Sequence, residues 1–260
     1  MKIYVQSRGL SQDYDYCWLP EVPPILKKYR INDLIQSESP SLVLGRYENQ
    51  LILLITGLEA SERADVQRRK IRNSVAWVGE DNQENEEKLR AIAACALQDK
   101  LKETLQDEID QAVTFGGEFG FQVAFEDISQ LSVAETITTR SFPAKVDKKI
   151  GKNSKNLRDN LAYDLEESCL PKGNDFNNTP LVIVTGIKSE NALKQAGVWR
   201  GLSNLVQGEG WKDPYKKSLT PEPEYALSNQ THKQNNALVY LLVSSILIPI
   251  AIALLLFLPK

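Results

Sequence analysis

Apolar and polar positions alternate in "KIYVQS", residues 2–7, the period-two signature of a strand. "SLVLGRYENQLILLITGL", residues 41–58, carries two apolar runs joined at Glu48 and Asn49, which predicts a β-hairpin. Its second arm, "LILLITG", is apolar without interruption, as expected of a strand buried on both faces. "IRNSVAWVG" predicts a further strand ending at Gly79. The pattern then changes period. Leu89, Ala93, Leu97, Leu101, Leu105 and Ile109 recur every four residues, a single stripe on one long helix. Asp81 and Glu84 form its expected capping box, and "FGG" at 115–117 is its expected end.

"FGFQVAFEDI" reads as another strand. Residues 140–178 are polar, with a short helix in "NLRDNLAYDLEESCL", an exposed basic loop in "KKIGKNSKN" and a turn-rich connection in "PKGNDFNNTP". "PLVIVTG" is a fully buried strand, and "SENALKQAGVWRGLSNL" a helix with Ser189 as N-cap. This predicts an α/β or α+β fold, with a mixed-sheet domain over residues 1–207 and a candidate sub-boundary near 140. A Pro-containing juxtamembrane linker follows over 208–236, then a single transmembrane helix over 237–258.

The last element rests on about 22 uncharged residues from Ala237 to Leu258, close to the ~20 that cross a bilayer core. Ser244 and Ser245 can bond within such a helix, and Pro249 is tolerated in one. Lys216, Lys217 and Lys233 precede the run and only Lys260 follows it, so the positive-inside rule keeps the N-terminal domain in the cytoplasm. "MKIYVQSRGL" lacks the charged-then-apolar build of a signal peptide, which makes the layout tail-anchored and single-pass. Nothing in the run, neither a small-residue repeat nor an interior charge, marks a pore lining or a packing face, so anchoring is its expected role.

Composition narrows the chemistry. A net charge of -3 argues against general nucleic-acid binding. Cys17, Cys95 and Cys169 fit neither a disulfide framework nor a metal-ligand spacing, and free thiols suit the cytoplasm. The single histidine, His232, lies in the linker, so no Ser-His-Asp or Cys-His arrangement can form in the domain. "GGEFGFQ" and "KKIGKNSKN" fit no phosphate-loop pattern, and no cofactor is implied. "VIVTGIKSEN" leaves a buried strand just before a helix, a place where α/β sheets bind ligands, although a plain turn accounts for it.

Two segments carry candidate sites. "SERADVQRRKIRNSVAW" gathers Arg63, Arg68, Arg69, Lys70 and Arg72, and Arg8 and Arg46 lie near other strand ends. Guanidinium groups hold phosphates and carboxylates in bidentate geometry, so Arg8, Arg46, Arg63, Arg68, Arg69 and Arg72 are candidates for an anionic ligand or acidic partner. A solvated loop paired with the acidic helix after Glu84 is the plainer alternative. In "SQDYDYCWLPEVPP", Asp13 and Asp15 are candidate metal ligands, while Tyr14, Tyr16 and Trp18 suit a partner surface.

The layout is similar in outline to membrane-tethered effector components of bacterial defence systems, a likeness of architecture that assigns no residue a role. The sequence favours a non-enzymatic protein whose cytoplasmic domain binds a protein partner, a second copy or an anionic ligand and couples it to the bilayer by recruitment or clustering. The alternative is a membrane-anchored, metal-dependent enzyme acting on a phosphate-bearing substrate.

Overall fold

The computed structural model describes residues 1–98, 105–131 and 139–216. The chain runs β1 (Lys2–Ser7), β2 (Cys17–Leu19), α1 (Pro24–Lys28), β3 (Ser41–Tyr47), β4 (Gln50–Ala64), β5 (Lys70–Glu80) and α2 (Gln83–Leu97). It continues through α3 (Asp107–Ala112), β6 (Val113–Phe115), β7 (Phe121–Val123), α4 (Phe125–Ser129) and β8 (Lys149–Lys152). Then come α5 (Lys155–Glu167), β9 (Thr179–Thr185), α6 (Glu190–Gln195) and β10 (Arg200–Ser203).

An eight-stranded mixed sheet, in the order β2-β1-β5-β4-β3-β9-β10-β8, organises these elements. The first five strands and the β3–β9 junction pair antiparallel, whereas β9, β10 and β8 run parallel. Side chains alternate across the sheet, so each strand serves two cores. Leu51, Leu53, Ile55, Val75 and Trp77 pack with Leu89 and Ile92 of α2 and Leu157 and Leu161 of α5. Ile52, Leu54, Ala76 and Val78 face the other way, toward Leu26 of α1, Ile31 of a 3₁₀ turn and Leu193 of α6. That double burial is why "LILLITG" has no polar break: each of its Leu and Ile side chains contributes about 1.5–3 kcal/mol. The protein is therefore a mixed α/β domain built on a large mixed sheet, and residues 1–215 close on themselves as one unit.

The β1, β3, β4, β5 and β9 strands lie where the sequence predicts them. Several expectations are corrected. The long amphipathic helix ends at Leu97, because Gln98 turns extended (φ -80°, ψ 163°), and Ile109 belongs to the separate α3. The stripe's members between 99 and 104 lie outside the described residues. Asn82 rather than Asp81 caps α2, accepting from the Asn85 N–H at 2.9 Å. "FGG" ends no helix: Gly116, Gly117 and Gly120, all at positive φ, turn the β6–β7 hairpin. "FEDIS" leaves the predicted strand for α4.

The "KIGK" of the supposed basic loop is the strand β8, with Ile150 and Gly151 buried. The short helix expected after it is α5, capped by Ser154. Ser189 does cap α6 through the Ala192 N–H, but that helix stops at Gln195 and Arg200–Ser203 is a strand. Beyond β10 the chain returns so that Ile150 and Lys212 exchange backbone hydrogen bonds of 2.8 and 2.9 Å, covering the outer edge of β8. Among the described residues no helix is long and apolar enough to cross a membrane, and the predicted span at 237–258 lies outside them.

Candidate functional site

The far end of the β4–β5 hairpin is where the sheet becomes irregular and its face is left open. Pairing between these strands shifts register between Ile55 and Leu58 and again between Glu59 and Ala64. The first shift centres on Gly57 (φ +74°), where a Cβ would stand 2.2 Å from the Ser39 carbonyl carbon. Asp65 then builds the turn. Its Oδ1 accepts from the N–H groups of Gln67 (2.9 Å) and Arg69 (3.0 Å), while the Arg68 N–H donates to its carbonyl at 2.8 Å. Arg68 occupies the left-handed region (φ 62°) as a result.

The remaining oxygen of Asp65 gathers cations. Arg69 donates to it from Nε (2.8 Å) and sets a second nitrogen 2.7 Å away, and Arg8 approaches to 3.8 Å. The Arg69 guanidinium, helped by the backbone N–H groups of Arg69 and Gln67, holds the Asp65 carboxyl below the usual carboxylate range against the opposing effect of burial. Arg8 lies 5.6 Å above the Tyr16 ring with its side chain only 11% exposed, and its buried Nε has no acceptor among the described residues. Tyr16 in turn accepts the Arg72 N–H at 3.1 Å, and the Arg72 guanidinium meets Glu59 at 3.2 Å. Lys70 donates to the Ser61 carbonyl.

Gln6, Arg8, Tyr16, Glu59, Asp65, Arg69, Lys70 and Arg72, with Ser37 and Glu38 opposite, line a cleft of about 600 Å³. Four cations face three carboxylates there, and one carboxylate serves two arginines. Chemically, the cleft is a fork of guanidinium donors over an aromatic ring, suited to a phosphate or carboxylate that takes up the donors Asp65 leaves unmet.

Three of the six predicted arginines thus converge, and three do not. Arg46 is buried near the other end of β4, roughly 25 Å away by strand rise. It donates to Asp81 (2.6 Å), to Glu86 (3.3 Å) and to the Pro171 carbonyl, a structural tie in which each guanidinium nitrogen already has an acceptor. Arg63 lies under the opposite face, donating to Ser7 Oγ (3.1 Å) and Asn73 Oδ1 (2.9 Å) and pairing with Asp110 at 3.6 Å. Burial lowers its pKa below the ordinary arginine value, with Asp110 opposing. Arg68 projects from the turn with no side-chain partner among the described residues.

Asp65 and Tyr16 join the arginines in the cleft, Tyr16 as one of the aromatics expected at a partner surface and Asp65 without a sequence expectation. The signal for Asp65 was an Asx-turn residue followed three and four positions later by arginines, between two strand-like runs.

Asp13 and Asp15 serve their own loop. Asp13 Oδ2 accepts the Ser11 hydroxyl at 2.9 Å and Asp15 Oδ1 the Tyr16 N–H at 2.7 Å. Among the described residues no group of three His, Cys, Asp or Glu side chains is arranged to hold a metal ion. At the carboxyl ends of the parallel strands, the Thr185 and Ser203 hydroxyls accept local N–H groups from Ile187 (3.4 Å) and Leu205 (3.2 Å). The nearby cavity, lined by Asn153, Arg158 and Val184, has only about 90 Å³. No family model, curated protein or solved structure matches the chain.

Proposed function

We propose that this is a membrane-attached binding protein. Its α/β domain takes an anionic ligand or an acidic partner segment in the cleft of Arg8, Arg69 and Arg72. The apolar run at 237–258 holds the domain at the cytoplasmic side of a bilayer, and ligand capture is coupled to recruitment or clustering there. The observation that carries the binding half is Arg8, a nearly buried guanidinium with an unpaired Nε and a shared, distant carboxylate. Leaving such a donor unmet costs stability, and an incoming oxyanion recovers it. The membrane half is supported by the uncharged run itself and by the lysines before it.

The test is a thermal unfolding series of residues 1–216 with inorganic tripolyphosphate and, separately, an Asp/Glu-rich peptide. At about 100 times the dissociation constant, a bound ligand raises the midpoint by on the order of 5–10 °C. Arg8→Gln is expected to abolish that shift while leaving the unliganded protein folded. No shift with either probe would remove the binding reading. A metal-dependent enzyme would need Asp13 and Asp15 to hold the ion, and each accepts a hydrogen bond from its own loop.

A further inference from the structure

The side chains of the arginine cleft stand in a row that strand register dictates. β1 pairs with β5 as far as Gln6 opposite Ser74, and with β2 as far as Ser7 opposite Cys17. Continued by one or two residues, these registers set Arg8 opposite Arg72 on one side and opposite Tyr16 on the other. Arg72 in turn stands opposite Glu59 of β4. Neighbouring strands are about 4.8 Å apart, so Tyr16, Arg8, Arg72 and Glu59 form one line across the sheet. Ser7 and Asn73, one residue off that line, bond to each other and to Arg63 on the opposite face, as the pleat requires.

Two arginines directly opposite each other on one sheet face repel, and the protein leaves them unbridged. Among the described residues no acceptor lies within hydrogen-bond distance of the Arg8 guanidinium, whose nearest carboxylate is Asp65 at 3.8 Å. The Arg72 guanidinium commits one nitrogen, to Glu59 at 3.2 Å. An oxyanion between the two takes donors from both and removes the repulsion. The surroundings of that oxyanion position are specific. Tyr16, 39% exposed, offers an aromatic surface within the cleft. Gln6 shares the face of Arg8 two residues back along β1, about 7 Å away by strand rise, and lines the same cleft. Its side-chain amide has no partner among the described residues. That amide presents a donor and an acceptor side by side, the pattern that pairs with the edge of a nucleobase.

We propose that the anion taken by this cleft is a nucleoside phosphate. The phosphate bridges Arg8 and Arg72, the base stacks against Tyr16, the base edge meets the Gln6 amide, and the ribose spans the distance between. The cleft volume of about 600 Å³ is that of a small-molecule site. An Asp/Glu-rich peptide has no ring for Tyr16, and the ring of a phosphotyrosine has no hydrogen-bonding edge for Gln6. The inference rests on the reading of the cleft as an anion site and names the class of anion.

Isothermal titration calorimetry of the full chain in nonionic detergent micelles tests it with adenosine 5′-monophosphate, ribose 5-phosphate and inorganic tripolyphosphate. The nucleotide is expected to bind about tenfold or more tighter than ribose 5-phosphate, the increment of one stacked base. Tyr16→Leu and Gln6→Leu should each bring the nucleotide down toward ribose 5-phosphate and leave tripolyphosphate unchanged. Tyr16→Phe, which keeps the ring, should hold the preference. Gln6→Leu keeps the test open if Tyr16→Leu fails to fold, because the Gln6 side chain bonds to no other described residue. Tripolyphosphate that binds while the nucleotide does no better than ribose 5-phosphate would overturn the nucleotide and leave the anion site standing. Binding by none of the three would remove both. A nucleotide preference indifferent to Tyr16→Leu and Gln6→Leu would also overturn the proposal, by placing the base elsewhere. A phosphotyrosyl peptide bound more tightly than the nucleotide would assign the cleft to a partner segment instead.

Discussion

Asp65 carries more of the candidate site than any other side chain, because one of its oxygens shapes the β4–β5 turn and the other holds Arg8 and Arg69. Its folded-state pKa is lowered, so the unfolded chain takes up the proton more readily than the folded one. The ionised carboxylate therefore stabilises the fold above the unfolded value of about 3.9, and that contribution disappears as pH falls through the lower folded-state value. Asp65→Asn removes the effect at every pH. Calorimetry should show the wild type melting above the variant at pH 6, with the gap narrowing steadily on acidification toward pH 3. A gap independent of pH would mean that the turn, and not the charge, sets the contribution of Asp65. The same substitution frees both arginines, so tripolyphosphate should bind Asp65→Asn more tightly than the wild type if the carboxylate competes with the ligand.

The α2 helix shows how an element can be legible in outline and opaque in its role. Its apolar stripe correctly marks the face against the sheet, but "ENEEKLR" reads as a solvated surface. In the fold, Glu86 accepts from Arg46 (3.3 Å) and from the Leu170 N–H (2.7 Å), with Arg90 at 3.7 Å. Arg90 donates to the carbonyls of Arg140 (3.0 Å), Leu165 (2.7 Å) and Ser168 (2.7 Å), closing the C-terminal end of α5. Those partners lie 40 to 84 residues away in sequence, beyond the reach of any local period. Glu86→Ala would leave the buried Arg90 without a carboxylate and the buried Arg46 with Asp81 alone, and should cost about 3–5 kcal/mol in urea denaturation, with Glu86→Gln losing less. A loss under about 1 kcal/mol, the level of a surface pair, would show that water replaces the carboxylate. The strands buried on both faces were readable because double burial leaves an unbroken apolar word. The edge strand β8 was not, since a short parallel edge needs only Ile150 as its apolar anchor among lysines. The arginine cleft was half readable: sequence proximity found Arg69 and Arg72, but the pleat sent Arg63 to the opposite face and β3 carried Arg46 to the far end of the sheet.

At the scale of the whole molecule, the domain and the apolar run must be tested against each other. A cleft that captures an anion does nothing at a membrane unless the two act in one chain, and the proposal relies on the lysines flanking the run to orient the domain to the cytoplasm. Expressed in a bacterial host at matched levels, the full chain should remain in the membrane fraction after alkaline washing. A chain ending at Lys233 should appear in the soluble fraction with the same unfolding midpoint as residues 1–216. Membrane potential, followed with a voltage-sensitive dye, should be unchanged by either protein, because the run holds no charged residue to line a water path. If the full chain alone depolarises the cells, the span is an effector and the domain its control element. Arg8→Gln, introduced into the full chain, would then tell whether ligand capture sets it off. If the full chain is soluble, the anchoring half of the proposal fails and the cleft must be understood as that of a soluble binding protein.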